Sequence, residues 1–247
     1  MTLKDRRILV TGAGAGIGAA IVREAAVRGA RLAVLDKDAA RARASAEAVG
    51  GLAIDGDVTR AADCERALAT VVTAWCGLDG LVNNAGWGYV TPTLETPEHD
   101  WDATLALNLT APWRLARLAV PHLPRGGAIV NIVSIYGVVA APDRAGYCAS
   151  KAGLAMLTRV QALEWAARGV RANAVAPGYV DSDEVRGLAA AGKIAMDAIV
   201  RRTPMGRLAD ADDVARAVAF LLDPVEAAHI TGQVLGVDGG WAAYGYV

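Results

Sequence analysis

Short apolar runs alternate along the chain with longer Ala-rich stretches of helical periodicity. Strands are predicted at Arg7 to Thr11, Arg31 to Asp36, Gly51 to Ile54, Gly80 to Asn83, Ala128 to Val133, Arg171 to Val175 and Gln233 to Val237. Runs such as Ile8-Leu9-Val10 and Leu32-Ala33-Val34-Leu35 show no polar alternation, as strands covered on both faces require. Helices are predicted at Gly16 to Arg28, Asp38 to Val49, Ala61 to Trp75, Glu98 to His122, Tyr147 to Ala167 and Asp210 to Leu222. This order predicts an α/β architecture: a doubly wound, seven-stranded parallel sheet with helices on both faces.

No linker, charge block or repeat divides the sequence, so residues 1–247 read as a single Rossmann-type domain. Tyr179 to Ala209 departs from the alternation, with mixed polarity, several glycines and weak periodicity. A long insertion just after a strand is a usual place for an active-site lid.

Hydrophobic residues make up 54% and charged residues 21%, the balance of a soluble protein with a large core. Twenty-five Lys and Arg against 26 Asp and Glu provide no positive excess for a phosphate backbone, which argues against a nucleic-acid partner. Cys64, Cys76 and Cys148 form no CxxC pair and suit a reducing, cytoplasmic setting. Met1 to Arg7 is charged and leads directly into a strand, and no 18-residue apolar run follows, so no membrane or targeting segment is expected. His99, His122 and His229 are widely separated, so no metal site is expected.

Thr11-Gly12-Ala13-Gly14-Ala15-Gly16-Ile17-Gly18 joins the first strand to the first helix. Glycines there let the backbone turn tightly and approach a pyrophosphate, which the helix N-terminus stabilises. The bland reading is an ordinary strand-to-helix turn. Asp36, at the end of the second strand, favours a dinucleotide, because a carboxylate can accept hydrogen bonds from ribose hydroxyls and repel a 2′-phosphate. NAD is therefore expected over NADP, with Lys37 as a partly offsetting neighbour.

Tyr147 precedes Lys151 by four residues, so the two share a helix face. A phenol titrates near about 10, and a neighbouring ammonium lowers that value toward useful acid/base chemistry. The spacing alone is a common accident. Ser134 ends the fifth predicted strand at the sheet edge where ligands bind, and its hydroxyl can polarise a carbonyl or simply cap a turn. Asn108 lies four residues before Pro112, which has no N–H, so the Asn108 carbonyl loses its helical partner. That predicts a kink whether Asn108 holds a water or is a satisfied core amide.

With these features in order, the sequence resembles the classical short-chain dehydrogenases/reductases over nearly its whole length. The resemblance rests on Thr11-Gly-x-x-x-Gly16-x-Gly18, Asn83-Asn84-Ala85-Gly86, Asn108, Ser134, Tyr147-x-x-x-Lys151 and Pro177-Gly178. It implies that Tyr147 transfers the proton, Lys151 lowers the Tyr147 pKa and holds the nicotinamide ribose, Ser134 orients the substrate, and Asn108 holds a relay water. It also implies cofactor contacts from Gly12, Gly16, Ile17 and Gly18, from Asp57 and Val58 at the adenine, and from Asn84, Ala85 and Gly86 near the ribose. Pro177, Gly178, Val180 and Ser182 would flank the nicotinamide, with Ser182 standing where the family usually has Thr.

Trp87, Tyr89, the stretch Ile135 to Ala140 and Tyr179 are expected to border the substrate pocket, with Trp87 and Tyr179 in contact. Acids at Asp181, Asp183 and Glu184 argue against a carboxylate or phosphopantetheine-linked substrate. A small polyol, sugar or hydroxy-ketone is favoured, with a 3-oxoacyl thioester as the alternative. Trp241 and Tyr244 are as readily interface packing as pocket. The resemblance implies a homotetramer. An NAD-binding sensor or scaffold would not need Ser134, Tyr147 and Lys151 together, and a Rossmann-like methyltransferase leaves the Tyr147 and Lys151 pair unexplained.

Overall fold

A computed structural model describes residues 3–244. The strands are β1 (Arg7–Thr11), β2 (Arg31–Asp36), β3 (Leu52–Asp55), β4 (Gly80–Asn83), β5 (Ala128–Ile132), β6 (Arg171–Pro177) and β7 (Val234–Val237). They form one sheet in the order β3-β2-β1-β4-β5-β6-β7, and all pairs are parallel. Strand order reverses between β1 and β4, which opens a crevice at their carboxyl ends.

The helices are α1 (Gly16–Val27), α2 (Ala39–Glu47), α3 (Ala61–Trp75), α4 (Glu98–Leu105), α5 (Ala111–Ala119), α6 (Ala145–Trp165), α7 (Asp183–Ala190), α8 (Met196–Arg202) and α9 (Ala211–Leu222). Alternate strand residues supply the two faces. Ile8, Val10 and Val82 pack with Ile21 of α1 and Val218 of α9. Leu9, Leu81 and Ile129 pack on the other side with Val71 of α3 and Leu115 of α5. The uninterrupted apolar strands thus feed two cores, one under each helical layer.

Two predicted stretches differ in form. Glu98 to His122 is not one helix but α4, a π turn at Ala106–Thr110, α5 and a 3-10 turn at Val120–His122. Pro112 withholds the N–H that an α-helical Asn108 carbonyl would accept, and the chain accommodates this by widening one turn. Tyr179 to Ala209 contains α7 and α8, of 8 and 7 residues, each too short for a clear helical period in sequence. A parallel bridge between Val180 and Ala209 closes its base. Among the described residues no helix is long and apolar enough to cross a membrane.

Candidate active site

A cavity of about 720 Å³ runs along the carboxyl edge of the sheet, from Asp36 and Arg41 past the glycine loop to Tyr147, Tyr179 and Leu188. Every position expected to contact a cofactor lines it, as do Ser134 and Trp87. Asn108 does not line it and lies fully buried behind it.

The glycine loop is shaped by close approach. Gly12 has φ +58°, and a Cβ there would meet the Ala85 Cα at 2.8 Å. A Cβ on Gly18 would strike the Gly12 carbonyl and would lie 2.6 Å from Asn84 Nδ2. Asn84 Nδ2 donates to the Thr11 and Gly12 carbonyls, both at 2.9 Å, so this side chain braces the loop while also lining the cavity. Helix α1 begins at Gly16 with no side-chain cap at Ala15 and no acid in its first turn. Its N–H groups therefore face the cavity mouth without an internal anion, which suits a pyrophosphate.

Asp36 does more than line the far end. Its Oδ2 accepts from the Gly14 N–H at 2.9 Å and its Oδ1 from the Asp38 N–H at 3.0 Å, tying β2 to the loop. Both oxygens retain lone pairs for ribose hydroxyls. Sequence reasoning recognised Lys37 here but missed Arg41, which lines the same end and pairs with Asp38 at 3.4 Å. Its position one turn into α2 was the available signal. The dimensions of the cavity, the close-packed glycines and the terminal carboxylate together fit a nicotinamide dinucleotide.

At the catalytic end, Lys151 is buried, and its Nζ donates to the Ile132 carbonyl at 2.8 Å. That Nζ lies 5.8 Å from the Tyr147 ring centroid. Ser134 caps the 3-10 turn Ile135–Gly137 by accepting from the Tyr136 N–H at 3.1 Å, which leaves its O–H available as a donor. The capping reading and the catalytic reading are therefore compatible. Asn108 Oδ1 accepts from the Trp87 N–H at 3.1 Å, while Nδ2 donates to the Trp87 carbonyl at 2.8 Å and to Ser150 Oγ at 3.1 Å. Its amide thus fixes the strand-to-helix turn after β4 against α6. Gly86 and Gly88 complete the fit, since a Cβ at 86 would lie 2.9 Å from Lys151 Nζ and one at 88 would lie 2.6 Å from the Tyr147 ring.

The substrate end is aromatic. Trp87 lines the cavity and stacks edge-on with Tyr89, their ring centroids 4.4 Å apart. The Tyr136 and Tyr179 hydroxyls are hydrogen-bonded at 2.9 Å, and burial together with this contact raises the Tyr136 pKa. Both causes favour the neutral phenol at Tyr136. Trp241 packs on Tyr179 at 5.5 Å, and Arg202 of α8 lies over both Trp241 and Tyr244, at 5.0 and 4.7 Å. Trp241 and Tyr244 thus fasten the 179–209 segment within the chain. Asp181 and Asp183 both pair with Arg186, which removes much of the repulsion expected of them; the Glu184 side chain lies outside the described residues.

A doubly wound sheet with an uncapped glycine turn at its crevice, and with Ser134, Tyr147 and Lys151 around one cavity, defines an oxidoreductase that uses a nicotinamide cofactor. A family model described as "Enoyl-(Acyl carrier protein) reductase" matches residues 12–242. An uncharacterized short-chain type dehydrogenase/reductase of Sinorhizobium fredii is 40% identical over 96% of this chain, which spans 43% of that longer protein. D-threitol dehydrogenase of Mycolicibacterium smegmatis is 38% identical over 97% of this chain and 94% of its own length. The crystal structure of a short-chain type dehydrogenase/reductase from Mycobacterium marinum superposes with a TM-score of 0.90 at 28% identity, covering 97% of this chain and 96% of that one. The chain belongs to the short-chain dehydrogenase/reductase family.

Proposed function

We propose that the protein is an NAD(H)-dependent enzyme interconverting a secondary alcohol and a ketone on a small polyol, sugar or hydroxy-ketone. The observation that carries this reading is the buried Lys151 ammonium, anchored on Ile132 and held 5.8 Å from the Tyr147 ring in the same cavity as Ser134. Tyr147 takes the proton from the alcohol oxygen during oxidation and returns it during reduction. Ser134 donates its O–H to the same oxygen, favouring the developing alkoxide. Lys151 stabilises the phenolate, and the Asn108 main-chain carbonyl, released by Pro112, holds a water linking Lys151 to solvent. When bound, NAD supplies the hydride chemistry.

Asp36 supports NAD over NADP, since Arg41 is already engaged by Asp38. We read residues 1–247 as one nucleotide-binding domain, with the segment around 179–209 as its substrate lid. Exposed Trp101, Trp113 and Leu163 favour a homotetramer, and the cysteine usage favours the cytoplasm. The polyol reading draws support from the D-threitol dehydrogenase relative. A 3-oxoacyl-[acyl-carrier-protein] reductase of Vibrio cholerae, 37% identical over 97% of this chain, favours a 3-oxoacyl thioester reductase as the second reading.

Tyr147→Phe tests the proton-transfer role. Turnover of any accepted alcohol falls by about 100-fold or more while NADH binding, followed by fluorescence, is retained. A loss smaller than about tenfold removes Tyr147 from that role.

A further inference from the structure

We infer that Arg144 forms an anion-binding subsite, so that the alcohol or ketone substrate also carries a carboxylate. This rests on the oxidoreductase reading above and replaces its neutral polyol with a hydroxy or keto acid.

Arg144 lines the cavity three residues before Tyr147, at the start of α6, so a cation and the proton-transferring phenol enter the same space from one helix end. Its guanidinium lies over the Tyr136 ring at 5.5 Å. That ring cannot easily swing away, because its hydroxyl is bonded to Tyr179 at 2.9 Å. A contact with the ring at that distance leaves the guanidinium N–H groups available for bidentate donation. The backbone leading to it is also pinned, with the Thr91 N–H donating to the Asp143 carbonyl at 2.8 Å.

Among the described residues no carboxylate forms an ion pair with Arg144. The acid nearest in role, Asp183 at the lid entrance, also lines the cavity but is held by Arg186 at 2.9 Å. A half-buried guanidinium oriented into a cavity without a counter-ion is completed by an anion arriving with the substrate. The other cations lining this cavity are otherwise placed: Lys37 and Arg41 lie at the Asp36 end, and Lys151 is anchored on Ile132. A hydroxy or keto acid, sugar acids included, therefore fits this end better than a neutral polyol.

The test uses the full-length protein saturated with NAD and a panel of short hydroxy acids, each paired with the diol in which the carboxylate is replaced by CH2OH. Binding is read by calorimetry, so turnover is not required. Wild type binds the acids of at least one chain length about tenfold more tightly than their diols, and Arg144→Gln abolishes that preference. Arg144→Lys restores part of it, since the charge returns without the planar fork. NADH affinity of each variant serves as the folding control. Equal binding of acids and diols across the panel, or an acid preference that survives Arg144→Gln, overturns the inference. NAD reduction by the same panel is scored separately. Turnover of neutral diols without acid preference removes the subsite and leaves the oxidoreductase reading standing; acid binding through Arg144 without NAD reduction by any compound does the reverse.

Discussion

Around Gly12 and Gly18 the cavity wall is backbone packed on backbone, whereas around Tyr179 it is made of side chains reaching between distant segments. In the first region an added Cβ at 12 meets Ala85 at 2.8 Å, and Asn84 fastens the loop from the neighbouring strand. In the second, Tyr136, Tyr179, Trp241 and Arg202 form a chain of ring and hydroxyl contacts from the end of β5 to α8 and the segment after β7. The first has almost no room to vary without losing its ligand geometry. The second can exchange one side chain for another and accept a different substrate.

The largest effect expected from that difference comes from Gly12→Ala. The new methyl needs φ +58° in an L residue and a contact with Ala85 that the backbone must relieve. Strain of about 1 to 3 kcal/mol in a loop proposed to touch the cofactor corresponds to a loss of NADH affinity of about 5- to 150-fold. Fluorescence titration with NADH checks it, and an unchanged affinity means that the loop is looser than its packing implies.

The same contrast explains what could be read from sequence. The strands were legible because their burial on both faces removes polar residues, and the glycine loop because close approach excludes every other side chain. Asp36, Ser134, Tyr147 and Lys151 were legible because each sits at a strand end or helix start whose position the alternation gives. Arg41 and Arg144 were not, since an arginine in a helical or loop segment looks like solvated surface until the fold brings it to a cavity. The pairing of Asp181 and Asp183 with a single Arg186 was equally hidden, although the spacing of five and three residues was available. Asn108 was recognised, but its amide serves Trp87 and Ser150, contacts no local pattern specifies.

Asp36 lies where the rigid region meets the far end of the cavity, and Asp36→Ala separates its bracing of the loop from the cofactor choice proposed for it. Losing the acceptor for the Gly14 N–H weakens both cofactors, whereas losing the negative charge helps only NADP. Removal of charge-assisted hydrogen bonds and of the repulsion narrows the ratio of NAD to NADP affinity by about tenfold. Paired titrations with NADH and NADPH report it. A ratio that does not move while both affinities fall would leave Asp36 as a loop brace only and shift cofactor choice to Lys37 and Arg41.

The smallest effect is expected in the adaptable region. Tyr179→Phe keeps the ring against Trp241 and deletes only the hydroxyl that meets Tyr136 at 2.9 Å. A hydrogen bond of this kind contributes about 1 kcal/mol, so KM for an accepted substrate rises by about three- to sixfold. The turnover number stays within about twofold, because no proton or charge in the reaction depends on Tyr179. Tyr136 then has one fewer restraint, and its ring can tilt beneath Arg144. Carboxylate substrates should accordingly lose more affinity than neutral ones. Steady-state kinetics on a matched acid and diol separates the two possibilities: an equal rise in KM makes Tyr179 a contact with the common part of the substrate, whereas a rise confined to the acid makes it a support for the guanidinium.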